Sequence, residues 1–416
     1  MFNVIKQMIS KDKHIPQGYK DSPLGVIPKE WEVKRLGEVC TFHNGRAYSQ
    51  KELLSYGKYR VLRVGNFFTN SSWYYSDLEL EDAKYANNGD LLYAWSASFG
   101  PRFWRGEKII YHYHIWKIDN FIKVSNKYLY IFLLLDATKL QNTLQGGTMV
   151  HVTKENMEKR YIGIPPICEQ QCIVSVLQLW DTAIKKQSEL IEKLTLRKRA
   201  LMQQLLTGKK RLPGFNKEWK RIKLGDIAER VTRRNDEDNK NVVTISAQRG
   251  FVVQTDFFNK SIASETLDNY YLVYKDEFCY NKSYSNGYPM GAIKRLKAFD
   301  KAVVTTLYIC FRLQDKTSTN IDFFEQYCES GIFNKELVKI ANEGGRAHGL
   351  LNVTPSDFFN MHMSIPDIDE QHSIASVLVN ADIEIELANK KLANLQSQKR
   401  GLMQQLLTGK KRVVQL

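Results

Sequence analysis

Five short segments hold the residues best suited to chemistry with a flat, charged partner. They are Asn44–Tyr48 (NGRAY), Ser96–Arg102 (SASFGPR), Arg249–Phe251 (RGF), Lys282–Tyr288 (KSYSNGY) and Arg346–Leu350 (RAHGL). Most set Arg or Lys beside Asn, Ser or Tyr around a glycine. A guanidinium donates in pairs to guanine, an amide matches adenine, and hydroxyls or cations take phosphate oxygens. The candidates for DNA contact are Arg46, Tyr48, Arg63, Ser96, Ser98, Arg102 and Thr148 in the first half, and Arg249, Lys282, Tyr284, Asn286 and Arg346 in the second. Each loop alone reads as an ordinary turn. As a set in two parallel halves they favour contact with DNA.

No catalytic constellation accompanies them, and no catalytic residue is assigned. There is no GxxxxGK[ST], because Thr207-Gly208-Lys209-Lys210 closes a helix pattern and lacks the loop glycines. No Asn/Asp-Pro-Pro-aromatic methyltransferase motif occurs, and Asn281-Lys282-Ser283-Tyr284 is only a distant echo of one. His112 and His114 alternate along an apparent strand, where they read as structural or surface residues. Cys168 and Cys172 lie one helical turn apart, but Asp369 and Ser373 replace them in the repeat described below. No metal site is therefore expected, and the six cysteines read as reduced thiols of a cytoplasmic protein.

A net charge of +15 points to an acidic partner such as nucleic acid. The excess gathers around Lys185/Lys186, Arg197–Arg199 and Lys209–Arg211, which equally suit a solvated helix face with cations at its C-terminus. The longest apolar run, Tyr128–Leu135, is too short to span a bilayer, and Met1–Ser10 has no signal-peptide pattern. No membrane partner is expected.

The elements that must hold the loops are duplicated. Ile164–Arg211 returns as Ile365–Arg412, ending both times in LMQQLLTGKKR. Each copy starts with a proline and then runs without Pro or Gly in steps of four and three, the seam of a coiled coil. The seam is Ile173, Leu177, Trp180, Ile184, Ile191, Leu194, Leu201 and Leu205 in one copy. In the other it is Ile374, Leu378, Ala381, Ile385, Leu392, Leu395, Leu402 and Leu406. Gln187, Lys198, Ala388 and Lys399 fall on the same steps. Each helix could pack on its own domain, but matched length and register favour packing on each other. A second repeat, Lys29-Glu30-Trp31…Leu36-Gly37-Glu38 against Lys217-Glu218-Trp219…Leu224-Gly225-Asp226, opens each half.

Between these markers lie two blocks with short β-rich runs. Tyr59–Val64, Asp90–Trp95 and Lys108–Ile118 read as strands, as do Val242–Ser246, Phe278–Asn281 and Val303–Leu313. Helical stretches follow at Asn126–Leu144 and Asn320–Asn342, then Gly146-Gly147-Thr148 or Gly344-Gly345-Arg346. The expected plan is a lead-in at 1–22, a first domain at 23–165 with a variable core at 40–150, and a long helix at 166–207. A linker and second domain follow at 208–366 with a variable core at 229–350, then a second helix at 367–409 and a tail at 410–416.

The doubled KEW…LG[ED], EQ…I (169–173 and 370–374) and LMQQLLTGKKR resemble the specificity subunits of type I restriction-modification systems. The resemblance runs from about Pro23 onward. It implies an α+β fold: two pseudo-two-fold-related α/β target-recognition domains joined by two long helices forming an antiparallel coiled coil. It implies a non-catalytic subunit whose domains each read half of an asymmetric bipartite site in double-stranded DNA. The helices would set the spacing and dock two adenine methyltransferase (M) subunits. Restriction (R) subunits would join through the core complex of this chain with its two M subunits. No cofactor is expected on this chain; S-adenosylmethionine, ATP and Mg would belong to the partners. The residues alone leave open a coiled-coil scaffold that reads no DNA, or a methyltransferase or nuclease with an unrecognised site.

Overall fold

The computed structural model describes residues 15–96, 99–143, 152–254, 267–315, 317–341 and 351–413. The chain divides into two compact units, Met1–Lys186 with Leu392–Leu416, and Gln187–Lys391. Each long helix, Ile167–Leu205 and Ile368–Leu407, starts in one unit and ends in the other. Both end at a glycine with φ +68°, Gly208 and Gly409, a left-handed turn that spares glycine a Cβ penalty.

Within each unit the start of one long helix packs on the end of the other. In the first, Ile173, Val174 and Leu177 share a core with Met403, Leu406 and Leu407. In the second, Ile374, Ala375 and Leu378 share a core with Met202, Leu205 and Leu206. The packing is therefore antiparallel, and it joins the helix pair to the domain core. The expected seam residues are all buried or half-buried. The polar seam positions have specific partners. Lys198 pairs with Asp382 at 2.5 Å and Lys399 with Asp181 at 2.5 Å, the same two repeat positions in both units. Gln187 Nε2 donates to the Ala388 carbonyl at 2.9 Å.

The short motifs meet at one place in each unit. In the first, Glu169, 5% exposed, accepts from Trp31 Nε1 at 3.0 Å and from Arg412 Nε and Nη2 at 2.6 and 2.9 Å. In the second, Glu370, 1% exposed, accepts from Trp219 Nε1 at 3.2 Å and from Arg211 Nε and Nη2 at 2.6 Å each. The next residue braces the helix start. Gln170 accepts from the Ser125 amide and donates to the carbonyls of Lys123 and Pro165. Gln371 does the same with Asn320, Ser318 and Pro366. In LG[ED], the acid reaches back to a backbone amide three residues earlier, Glu38 to Arg35 at 2.6 Å and Asp226 to Lys223 at 2.7 Å. The glycine admits close neighbours, since a Cβ on Gly37 would stand 3.1 Å from Glu158 and one on Gly225 3.2 Å from the Phe359 carbonyl.

Each unit carries the same antiparallel four-stranded sheet. The order is Thr41–Asn44, Ile115–Asp119, Leu91–Ala94, Gly100–Phe103 in one and Ala228–Val231, Ile309–Leu313, Phe278–Asn281, Ala292–Arg295 in the other. A further sheet in the first unit includes Tyr59–Leu62 parallel to Ile109–Tyr111. Its counterparts are the pairs Val243–Ser246 with Gly250–Val253 and Tyr271–Tyr274 with Lys301–Val304. Three runs read as continuous are broken. Lys108–Ile118 forms two strands, Ile109–Tyr111 and Ile115–Asp119, and Val303–Leu313 lies within Lys301–Val304 and Ile309–Leu313. In each case the chain leaves one sheet for the other, and β-prone residues on both sides of the polar crossing, His112–His114 or Thr305-Thr306, conceal it. The stretch Asn320–Asn342 holds two helices, Ile321–Glu329 and Asn334–Ile340, parted near Gly331 with φ +75°.

The motif clusters make two substitutions informative. Glu370→Ala strands the Trp219 N–H and a half-buried guanidinium. Breaking a buried pair from one side costs about 3 kcal/mol, so differential scanning calorimetry should show the second unit melting about 6–12 °C lower; an unchanged transition overturns this role for Glu370. Gly409→Ala should lower the melting temperature more than Gly208→Ala, because its Cβ would overlap Pro28 Cδ whereas that of Gly208 meets Trp219 only at 3.5 Å.

Candidate nucleic-acid interface

In the first unit, Arg46, Tyr48, Arg63 and Arg102 lie around one turn, His112–His114, and the short helix Val64–Phe68. The backbone of Arg46 bonds Tyr111 and Tyr113. Its guanidinium stands 5.4 Å from the Tyr48 ring and donates to Glu52 at 2.6 Å. The Tyr48 ring stacks toward His112 at 6.4 Å, and burial pushes its phenol well above the usual range. Arg63 is exposed and lies 5.3 Å from the Tyr74 ring. Arg102 is exposed too, 4.9 Å from the Phe68 ring. Ser96 is buried, 6% exposed, so its hydroxyl is withdrawn from the surface to which it was assigned.

The second unit presents its candidates from the same strand ends. Leu91–Ala94 and Phe278–Asn281 hold the same place in their sheets, so Ser96 and Lys282–Asn286 follow equivalent strands. Arg63 follows Tyr59–Leu62 and Arg249 follows Val243–Ser246 in the same way. Gln248 Nε2 donates to the Asn286 carbonyl at 3.1 Å, joining the two loops. Arg249 is exposed and its amide bonds Ser246 Oγ. Tyr284 is 66% exposed. Lys282 is half-buried, and burial, with the nearby Arg230 charge, holds its ammonium below the usual range. A cleft of about 680 Å³ lies between Gln248, Asn286 and Tyr288 on one side and Lys198, Arg199 and Gln203 of the long helix on the other. Ser98, Thr148 and Arg346 lie outside the described residues, as do the two Gly-Gly loops.

The structure changes two readings of the sequence. The basic excess near the first repeat is partly committed to structure. Arg197 bonds Glu384, Lys198 pairs with Asp382, and Arg211 binds Glu370. His112 and His114 sit at a turn beside the cluster, not along a strand. Their rings lie 4.9 Å apart, Trp95 is 4.9 Å from His114, and Tyr113 is 39% exposed. The segment HYHIW alternates like a strand, which hid a turn that exposes Tyr113 between two half-buried histidines. Among the described residues no cluster of His, Cys, Asp or Glu is arranged to hold a metal ion, and no helix is long and apolar enough to cross a membrane.

Two domains of one plan, displaying different side chains from equivalent loops on a shared frame, define a modular recognition protein. The family model for the type I restriction modification DNA specificity domain matches the chain twice, over residues 28–196 and 216–397, and the chain belongs to that family. It is a specificity subunit, the non-catalytic recognition component of such systems. The type I restriction enzyme MjaVIII specificity subunit of Methanocaldococcus jannaschii is 24% identical, over 94% of this chain and 95% of its own length. The putative MjaX specificity subunit of the same organism is 24% identical over 95% and 97%. A chain from a structural study of complex assembly and conformational transition in the type I R-M system superposes with a TM-score of 0.57 at 15% identity, covering 92% of this chain and 99% of that one. That likeness extends the agreement to the fold, two α/β domains joined by two long antiparallel helices.

Burial, His114 and Arg63 together lower the His112 pKa to about 4. The unfolded imidazole titrates near 6.5, so between these values the unfolded chain binds more protons than the folded one. Stability from His112 is complete above about pH 6.5 and falls as pH drops toward 4. NMR of the imidazole resonances should place its folded midpoint near 4, and the pH 4–6.5 loss should shrink in His112→Gln. A midpoint near 6.5 would contradict the buried environment.

Proposed function

We propose that each unit reads one half of an asymmetric, bipartite site in double-stranded DNA. The long helices fix the distance between the halves and dock two adenine methyltransferase subunits, through which restriction subunits join. The observation that carries this reading is the contrast between frame and loops. The Trp–Glu–Arg cluster, the glutamine brace and the Lys–Asp seam pairs recur in both units. The residues at equivalent strand ends do not: Arg63, Asn66 and His112 in one, Gln248, Arg249 and Asn286 in the other. A repeated frame suits two copies of one partner, and divergent loops suit two different sequences. The positive charge supports phosphate contact.

The partners would hold S-adenosylmethionine, ATP and Mg, and a methyltransferase that flips its target adenine needs a chain that keeps the register. Cytoplasmic residence follows from that role. A scaffold that reads no DNA would have no use for two different sets of polar loops on one frame.

Mapping methylated adenines genome-wide, with and without this chain, tests the reading. One split, asymmetric motif should depend on it. Exchanging residues 40–150 for the block of another specificity subunit should change one half of the motif and leave the other intact; simultaneous change of both halves would overturn the division of labour. Deleting one heptad from each long helix should remove about 10 Å and shorten the spacer by about three base pairs. An unchanged spacer would remove the ruler role.

A further inference from the structure

A cleft lies beside the histidine turn. Its volume is about 360 Å³, and Arg63, Asn66, Tyr74, His112 and His114 are among the residues that line it. Three features mark it as a reading site rather than a general phosphate patch. First, Arg63 is held in place. It follows directly on Tyr59–Leu62, its guanidinium rests over Tyr74 at 5.3 Å, and the Phe67 amide closes a helical turn on its carbonyl at 2.9 Å. A guanidinium positioned in this way presents its paired donors in one plane, the geometry that guanine O6 and N7 accept. Second, His112 is fixed on the opposite side by ring contacts with Tyr48, Tyr113 and His114 at 6.4, 4.4 and 4.9 Å. Its amide is anchored to the Leu62 carbonyl at 2.9 Å, so strand end and turn move together. Third, the loop opposite is internally bonded and therefore shaped in advance. Asn66 Nδ2 donates to the Ser72 carbonyl at 2.5 Å, and the Ser72 amide to Asn70 Oδ1 at 2.8 Å.

A phosphate needs donors only. This cleft combines a donor-only side chain with an imidazole, and a neutral imidazole offers one donor and one acceptor. Burial beside Arg63 and His114 keeps the His112 ring neutral at physiological pH. In the major groove a G·C pair sets two adjacent acceptors on guanine beside the amino donor of cytosine N4, whereas an A·T pair sets its amino donor between two acceptors, so only the G·C order suits a paired guanidinium next to an accepting ring nitrogen.

We infer that this cleft reads one G·C pair of the first half-site, Arg63 donating to guanine O6 and N7 and the His112 ring nitrogen accepting from cytosine N4. The inference rests on the bipartite reading above and names the residues that carry one of its positions.

The test uses the full chain assembled with its methyltransferase partner. Initial methylation rates are measured on duplexes in which each base pair of the first half-site is varied in turn. Arg63→Ala should relax discrimination at one position by about 10- to 100-fold and leave the other positions strict. His112→Leu should relax the same position more weakly, and His112→Gln, which keeps an acceptor, should restore most of it. Undiminished stringency at the second half-site in the same assay shows that the variant is folded and assembled. If Arg63→Ala weakens all sequences equally and lowers the salt dependence by about one phosphate contact, Arg63 is a backbone clamp and the inference fails. It also fails if the two residues govern different positions, or if neither changes any. Failure of the bipartite reading itself looks different: exchange of residues 40–150 would leave the first half-site unchanged in the unsubstituted chain.

Discussion

A buried carboxylate holds each unit together. Glu169 and Glu370 lose almost all contact with water, and a lone ionised carboxylate in that position would be strongly unfavourable. Each is offset by a tryptophan N–H and a two-pronged arginine, the stronger kind of charge-assisted bond. The three members come from distant parts of the chain. Trp31 opens a domain, Glu169 opens one long helix, and Arg412 follows the end of the other. The carboxylate is therefore satisfied only when domain, helix start and helix end have all arrived. Because removing one member exposes the desolvation cost of the rest, the cluster specifies the arrangement as much as it stabilises it.

The helix pair follows the same logic at lower stakes. A wholly apolar seam permits slippage and parallel alternatives; a polar seam residue with a matched partner does not. Lys198 meets Asp382 and Lys399 meets Asp181, each lysine near one helix end and each aspartate about a third of the way along the other helix. That pattern closes only with the helices antiparallel and in one register. The two aspartates remain substantially exposed, with relative side-chain areas of 45% and 60%, so the pairs contribute little net energy. Their effect is on specificity of packing, while the apolar seam residues supply the attraction.

These constraints explain what the sequence disclosed. The exact return of LMQQLLTGKKR revealed the helices: Met202, Leu205 and Leu206, like Met403, Leu406 and Leu407, are buried, and the glycine ends the helix, while the exposed Gln203, Gln204, Lys209 and Lys210 recur without a structural reason. The EQ and KEW motifs were visible as repeats, but their chemistry was not. Nothing local shows that Arg211 will reach Glu370, so the cations of Lys209–Arg211 read equally well as nucleic-acid contacts. Likewise Lys108–Ile118 gave no sign that the chain changes sheets at His112. Both strand halves are apolar, and the three polar rings between them fit a strand's alternation. Sheet exchange is a long-range event, and its only local trace was a histidine pair that read as structural or surface residues.

The same reasoning locates the variable information. A residue in the carboxylate cluster or the glutamine brace cannot change without a compensating change elsewhere, since its polar atoms have defined partners. Arg63, Arg249 and Tyr284 are exposed at strand ends, and substitutions at such positions perturb stability little. A frame of this kind lets the displayed side chains vary while their position stays fixed to the helices. The divergence of the two units at these points, against the recurrence of the carboxylate cluster, the glutamine brace and the Lys–Asp pairs, is therefore what physical constraint predicts for two domains built on one geometry.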